Sequence, residues 1–219
     1  MLELSTIQQI SVWILPMLLA ITIHEAAHAW VAFRCGDPTA RTLGRLSFNP
    51  IRHIDFLGTL VIPLAILFLS QFHFAFGWAK PVPINSRFFK KPRRDMVLVA
   101  AAGPGVNLLM AIIWTIVLKI AFLWNPLTSI GALFFVLSAQ AGMVINLLLA
   151  FLNLIPIPPL DGGRIAVTLL PYRCASLLER LEPYGFFILL ALMLSGALAF
   201  FLNPIINGAM ALLQLLFNI

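Results

Sequence analysis

The sequence is poor in charged residues. Only 10% of its 219 residues are Asp, Glu, Lys or Arg, whereas soluble domains carry roughly a quarter. Hydrophobic types make up 61% and there are two cysteines, which excludes a soluble globular enzyme, a disordered chain and a disulfide-stapled scaffold. The composition therefore predicts one compact integral-membrane domain over residues 1–219.

Long apolar segments are present instead. Residues 6–33, 96–123, 130–152 and 184–202 are each long enough to be predicted as membrane spans, since the ~30 Å hydrocarbon core needs ~20 residues. Residues 203–219 are apolar but short, and we expect an interfacial helix or a partial last crossing. The pattern predicts an all-α polytopic membrane protein.

The apolar segment 56–73 is treated separately because it contains Gly58 and Pro63. Basic clusters lie on both sides of it, in 34–52 and 80–94. A full crossing would place these clusters on opposite sides, against the tendency of Lys and Arg to collect in the cytoplasm. We therefore expect a re-entrant segment with the N-terminus outside, and an ordinary crossing is the alternative.

Residues 74–84 alternate partly between apolar and other side chains. The pattern predicts a small β-strand or hairpin element. Pro81 and Pro83 confine it to a sheet edge, because proline has no N–H to donate to a ladder.

The first apolar segment contains HEAAH, with His24, Glu25 and His28. Histidines four residues apart lie on one face of a helix, so both imidazoles can reach one ion. Glu25 can take a proton from metal-bound water, an arrangement typical of zinc hydrolases. Ionisable side chains in a spanning helix are costly and by default functional. The alternative is a polar cavity or a proton relay in a transporter.

A zinc hydrolase needs a third protein ligand. Asp161 differs from the other candidates because an apolar run precedes it and two glycines follow, whose backbone freedom could aim the carboxylate inward. Asp161 lies three residues before Arg164. His28 lies six residues before Arg34, which is ~9 Å along a helix. Both residues are therefore expected close to the side of the membrane where the basic residues lie. A turn residue or helix cap is the alternative for Asp161. The other candidates lie near the basic loops: Asp37, His53, Asp55, His73 and Asp95.

Three motifs, HEAAH, AAGPGVN and NLIPIPPLDGG, follow one another in the chain. Together they resemble the site-2 protease family of intramembrane zinc metalloproteases, over about positions 15–175. The resemblance implies zinc bound by His24, His28 and Asp161, with Glu25 as the catalytic base. We expect a compact bacterial branch, with no segment before the HEAAH helix and no PDZ or CBS module.

The resemblance also implies an architecture. A three-helix catalytic core would comprise 6–33, 96–123 and 130–152, followed by additional C-terminal helices. That core requires the chain to return to the cytoplasmic side before residue 96, which supports the re-entrant interpretation of 56–73. We expect the bacterial inner membrane, with the active site toward the cytoplasm.

Substrate-binding candidates come from the remaining polar and motif residues. Asn153, Pro156 and Asn107 are the candidates, because an amide can bind a substrate carbonyl or stabilise an oxyanion. The alternative for the asparagines is interhelical hydrogen bonding, which we favour for Asn107 and Asn146. His53 and Asp55 form either a second polar cluster near the site or ordinary loop hydrogen bonds.

The predicted function is hydrolysis of peptide bonds within or near transmembrane segments of protein or peptide substrates. The basic clusters are expected to contact anionic lipid headgroups, and nucleic acid is not an expected partner. The oligomeric state is left open. The alternatives are a metal-ion or proton transporter, which the apolar outer halves of the spans disfavour, and an inactive relative, which the intact Glu25 disfavours.

Overall fold

The structure is a computed structural model that describes residues 5–53, 55–61, 80–124 and 130–219. Within these ranges the chain is helical and contains no β-strand. A π-helical turn covers Phe56–Val61. The α-helices are α1 (Thr6–Cys35), α2 (Thr39–Thr42), α3 (Pro92–Leu123), α4 (Ile130–Asn153), α5 (Asp161–Leu169), α6 (Tyr172–Glu179), α7 (Gly185–Leu194) and α8 (Ala197–Phe217).

Four helices of the described chain are long and apolar enough to cross a bilayer. They are Ile7–Cys35, Pro92–Leu123, Gly131–Asn153 and Ala197–Phe217. The prediction of an all-α polytopic membrane protein is therefore confirmed. The first three predicted spans agree with α1, α3 and α4 to within a few residues.

The predicted span 184–202 is wrong. The chain is broken there into α7, which has ten residues, and α8, which has 21. Gly196 lies between them at φ +74°, a left-handed conformation that glycine adopts without steric cost. The last described helix that is long and apolar enough to cross is therefore α8. It includes most of residues 203–219, which the sequence suggested were too short for a full crossing.

The re-entrant segment and the hairpin stay predictions. Residues 62–79 lie outside the described residues. They include most of the predicted re-entrant segment 56–73 and about half of the predicted hairpin 74–84. The described end of the hairpin, residues 80–84, is not a strand. Its amide at Val82 bonds to a side chain instead, as described below.

The helical core is built around α3 and α4. Trp114 and Leu118 of α3 pack with Val136 and Met143 of α4. Gly142 makes this contact possible, because a Cβ there would lie within 2.5 Å of Trp114 ring atoms. Helix α8 covers the same pair through a second buried cluster: Ala111, Leu147, Leu202 and Ile206.

A segment that we call the strap, residues 80–91, is tied to the C-terminal end of α1. The buried Asp37 carboxylate accepts the Asn85 N–H at 2.7 Å. The Lys90 N–H is 3.3 Å from the Cys35 carbonyl oxygen. Gly36, at φ +112°, leaves room for the strap, since a Cβ there would lie 2.8 Å from the Phe88 carbonyl oxygen.

The α3–α4 contact generates a stability prediction. Gly142→Ala should lower the free energy of unfolding by about 1–3 kcal/mol, because the added methyl overpacks against Trp114. Gly208→Ala in α8 is the matched control, since no atom lies within 4 Å of its Cβ position. It should stabilise by roughly 0.5–1 kcal/mol. Thermal unfolding in detergent measures both, and a Gly142→Ala protein as stable as the parent would contradict the packing.

Candidate metal centre

Three side chains from distant parts of the chain converge at one point. The Nε2 atoms of His24 and His28, both on α1, are 3.0 Å apart. The Asp161 Oδ2 atom, at the start of α5, is 3.3 Å from the first and 3.2 Å from the second. All three residues are buried.

Hydrogen bonds on the far side of each ring determine which nitrogen faces the cluster. His28 Nδ1 is 2.7 Å from the Val99 carbonyl oxygen, which can only accept, so this nitrogen carries a proton. His24 Nδ1 likewise donates to Asn107 Oδ1 at 3.1 Å. In the neutral rings both Nε2 atoms are then unprotonated and point their lone pairs at each other and at Asp161.

The Asp161 carboxylate adds negative charge to this arrangement. Burial opposes its ionisation, but when the His24 and His28 rings carry an extra proton, their contacts outweigh burial and hold the pKa of the carboxyl below its usual range. Its Oδ2 atom is buried without a hydrogen-bond donor. Three acceptor atoms therefore meet around a point that requires positive charge, which an extra proton or a metal ion can supply.

The spacing of the three atoms fits a tetrahedral ion. Ligands bound to zinc at ~2.0–2.1 Å with tetrahedral angles lie ~3.3 Å from one another. The observed separations are 3.0, 3.2 and 3.3 Å. Two imidazoles and one carboxylate are a ligand set found in catalytic zinc sites, which leave a fourth position open.

Helix α3 forms the wall of the centre through one face. Val99, Gly103 and Asn107 are spaced four residues apart and lie one above the other. Val99 and Asn107 orient the two rings, as groups behind metal ligands commonly do. Gly103 lies between them, and a Cβ there would be 2.4 Å from His28 Nε2 and 2.6 Å from His24 Nε2.

The loop after α4 places Asp161. Helix α4 ends at Asn153 and α5 begins at Asp161, and the prolines between them cannot continue a regular helix. Gly162 and Gly163 are both helical, so they supply room instead of the unusual backbone turn expected from the sequence. A Cβ on Gly162 would lie 2.3 Å from the Leu154 carbonyl oxygen, and one on Gly163 would lie 2.4 Å from Pro158 N.

Glu25 is tied to the strap. Its Oε2 atom accepts the Val82 N–H at 2.8 Å, and the side chain is half-buried. Glu25 follows His24 directly on α1, so the strap reaches the residue next to a candidate ligand. This bond links Glu25 to a segment 57 residues further along the chain.

The other substrate-binding candidates are placed as follows. Asn107 is fully buried and joins α3 to α1 through His24, which is the interhelical bond favoured for it. Asn153 is half-buried and donates from Nδ2 to the Leu149 carbonyl of its own helix at 2.9 Å. Pro156 is exposed in the loop before α5. A substrate-binding role for these residues stays a prediction.

The remaining ligand candidates do not join the centre. Among the residues that the structure describes, His24, His28 and Asp161 are the only group of three His, Cys, Asp or Glu close enough to share an ion. His53 is buried and donates from Nε2 to the Ser47 carbonyl at 2.9 Å, the loop hydrogen bond given as its alternative role. His73 lies outside the described residues.

Three contributors to the centre were missed from the sequence. The Val99 carbonyl and the Val82 amide are backbone groups, which leave no signal in residue type. Gly103 does leave a signal in the sequence, because the small residues of AAGPGVN are typical of helices that approach closely. The motif does not predict, however, that Gly103 lies next to the His24 and His28 rings.

An open cleft of about 510 Å³ lies between the strap and α5. Pro81, Val82, Pro83 and Ile84 of the strap line one side, and Pro158 and Arg164 line the other. Val82 connects the cleft to Glu25, and Arg164 lies three residues after Asp161. The cleft therefore provides space for water or an extended chain between the strap and α5, and the strap contacts Glu25.

The helices and the buried centre define a polytopic membrane protein with a cluster of side chains that could bind a metal ion. The sequence profile of Peptidase family M50 matches residues 12–143 and 117–196. The chain therefore belongs to this family, the site-2 protease family, and is a membrane metalloprotease. No solved structure matches significantly.

Named relatives agree with the family assignment. A Bacillus subtilis protein named "Putative zinc metalloprotease YwhC" is 40% identical over 200 residues, which cover 89% of this chain and 85% of that protein. A Mycolicibacterium smegmatis protein named "Putative zinc metalloprotease Rip2" is 31% identical over 83% of this chain and 66% of that protein. A Mycobacterium tuberculosis protein of the same name is 29% identical over 87% of this chain and 66% of that protein.

The position of Gly103 generates a prediction about metal binding. Gly103→Ala should weaken metal affinity by at least ~10–100-fold, the range for disturbed supporting groups, because its methyl would occupy the space between the two Nε2 atoms. Gly105→Ala, two residues along α3, is the matched control, since nothing lies within 4 Å of its Cβ position. Metal content of the purified proteins measures both. Equal metal in the two variants would show that Gly103 does not border the site.

Proposed function

We propose that the protein is an intramembrane zinc protease that hydrolyses peptide bonds within or near transmembrane segments of membrane-protein substrates. The observation that carries the proposal is the buried cluster of His24, His28 and Asp161, whose three acceptor atoms have the spacing of zinc ligands. The whole chain, residues 1–219, acts as one such domain. A generic polar cavity would not need Gly103 beside both rings.

The residues have separate roles in this proposal. His24, His28 and Asp161 hold zinc, which when bound supplies a Lewis acid and brings the pKa of water toward ~7. Val99 and Asn107 keep the two imidazoles in the tautomer that binds metal. Glu25 is the general base, and its carboxylate takes the proton from the attacking water.

The cleft between the strap and α5 is the route that we propose for an extended substrate. A helical substrate hides its carbonyl groups in hydrogen bonds between residues four apart, so it must unwind locally before hydrolysis. Strand addition along residues 74–84 is the mode that we propose for the unwound part. Over residues 81–83 the substrate must supply the N–H groups, because Val82 is engaged with Glu25 and the flanking prolines have none.

The proposed orientation follows from charge. The end of α1 that holds His28 continues into Arg34 and the basic stretch 34–52, and the strap is also basic. Lys and Arg collect on the cytoplasmic side of membrane proteins. We therefore place the centre toward the cytoplasmic face of the bacterial inner membrane, where water can reach it through the cleft.

The function is tested by metal content and cleavage together. Purified wild type in detergent should hold about one zinc per chain and cleave a generic single-span substrate. Asp161→Ala and His24→Ala should lose both zinc and cleavage, whereas Glu25→Gln should keep zinc and lose about 10²–10⁴-fold in rate. His53→Ala is the control, because it removes a buried imidazole outside the cluster and should keep its zinc.

Other outcomes would reject parts of the proposal. Wild type without zinc, or Asp161→Ala with full zinc, would show that the ligand set is wrong. Undiminished cleavage in Glu25→Gln would remove Glu25 as the base. Zinc-dependent ion flux in vesicles without proteolysis would replace the protease by a transporter.

A further inference from the structure

The strap contacts Glu25 through one backbone group. Val82 N–H donates to Glu25 Oε2 at 2.8 Å. Residues 81 and 83 are both proline and have no N–H, so this amide is the sole backbone donor of the tripeptide. The carboxylate therefore cannot slip to a neighbouring amide of the same stretch.

Val82 itself is held from several sides. Its side chain is buried with Ala29 and Ala40, and Leu46 packs against them. Lys80 N–H donates to the His53 carbonyl at 2.9 Å, and Asn85 N–H donates to Asp37 at 2.7 Å. The amide is thus fixed before and after the proline pair, relative to α1 and the loop that follows it.

From this geometry we propose that the Val82 backbone amide is a positioning group for Glu25 and makes the strap part of the active site. The proposal rests on the proposed function in taking Glu25 as the base. The amide holds Oε2 in place, and in this proposal the freely accessible oxygen, Oε1, takes the proton from water. A carboxylate side chain without this bond would sample several rotamers, which removes the geometry that proton transfer requires.

The contact has a purely structural alternative, in which Glu25 only anchors the strap. In that case, loss of the amide would reduce stability and leave the turnover rate of the folded protein unchanged. A positioning role instead predicts a lower kcat with unchanged zinc content, since misplacement by ~1 Å can cost ~100-fold in rate. The two roles are separated by the measurements below.

The first measurement is hydrogen exchange of the zinc-loaded protein, followed by mass spectrometry. Within residues 81–83 only the Val82 amide can exchange, so this stretch reports one hydrogen bond. Glu25→Ala should speed its exchange at least about tenfold, whereas Glu25→Gln keeps an acceptor oxygen and should preserve much of the protection. The Asn85 amide, held by Asp37, is the internal reference. Unchanged Val82 exchange in Glu25→Ala would overturn the proposal.

The second measurement compares Val82→Pro with Val82→Ala. Val82→Pro removes the N–H and should lower kcat by about 10–100-fold, with KM within about threefold and zinc unchanged. Val82→Ala keeps the donor and should lose much less. In a Glu25→Asp background, whose shorter side chain cannot keep the same bond, Val82→Pro should cause little further loss.

Each contrary result has a defined meaning. Equal losses in Val82→Pro and Val82→Ala, or a full additional loss in the Glu25→Asp background, would reject positioning. If Val82→Pro fails to fold, the exchange of wild type and Glu25→Ala still decides whether the bond exists. If wild type shows no zinc-dependent cleavage, the proposed function fails first, and the exchange result reports on the contact alone.

Discussion

The central constraint on this structure is that three hydrogen-bond acceptors, which repel one another, are held together at one buried point. Two imidazole nitrogens and a carboxylate oxygen meet within 3.3 Å of one another in a buried place, and each presents a lone pair. Acceptors do not stay together in a medium of low dielectric constant unless a positive charge lies between them. The surrounding elements hold the acceptors in contact: Val99 and Asn107 fix the rings, and the glycines after Asp161 let α5 approach.

Much of this centre could be predicted from residue spacing. The interval between His24 and His28 places both rings on one helix face, and the structure confirms that they meet. Asp161 was favoured among several candidates by its apolar and glycine-rich context and by its depth, and the resemblance to a family implied the same residue. The composition of the loop before it indicated an irregular segment, and the structure shows α4 ending at Asn153 and α5 beginning at Asp161.

Other features could not be predicted because they depend on tertiary contacts or on one dihedral angle. Hydropathy suggested a span over 184–202, but the left-handed Gly196 divides that stretch, and hydropathy does not report backbone conformation. Gly162 and Gly163 were expected to permit a turn, and they instead provide space beside neighbouring backbone. The Val82 amide could not be assigned to Glu25, since the two are 57 residues apart.

The distribution of the three candidate ligands along the chain would link metal binding to folding. Two of them belong to α1, and the third arrives only after α3 and α4 have been added to the bundle. An ion bound by all three therefore closes a covalent circuit that contains both intervening helices, and a long closed circuit restricts the unfolded chain more than a short one. In this arrangement a bound ion would serve as a cross-link between α1 and α5, so the same three bonds would join assembly of the bundle to its chemistry.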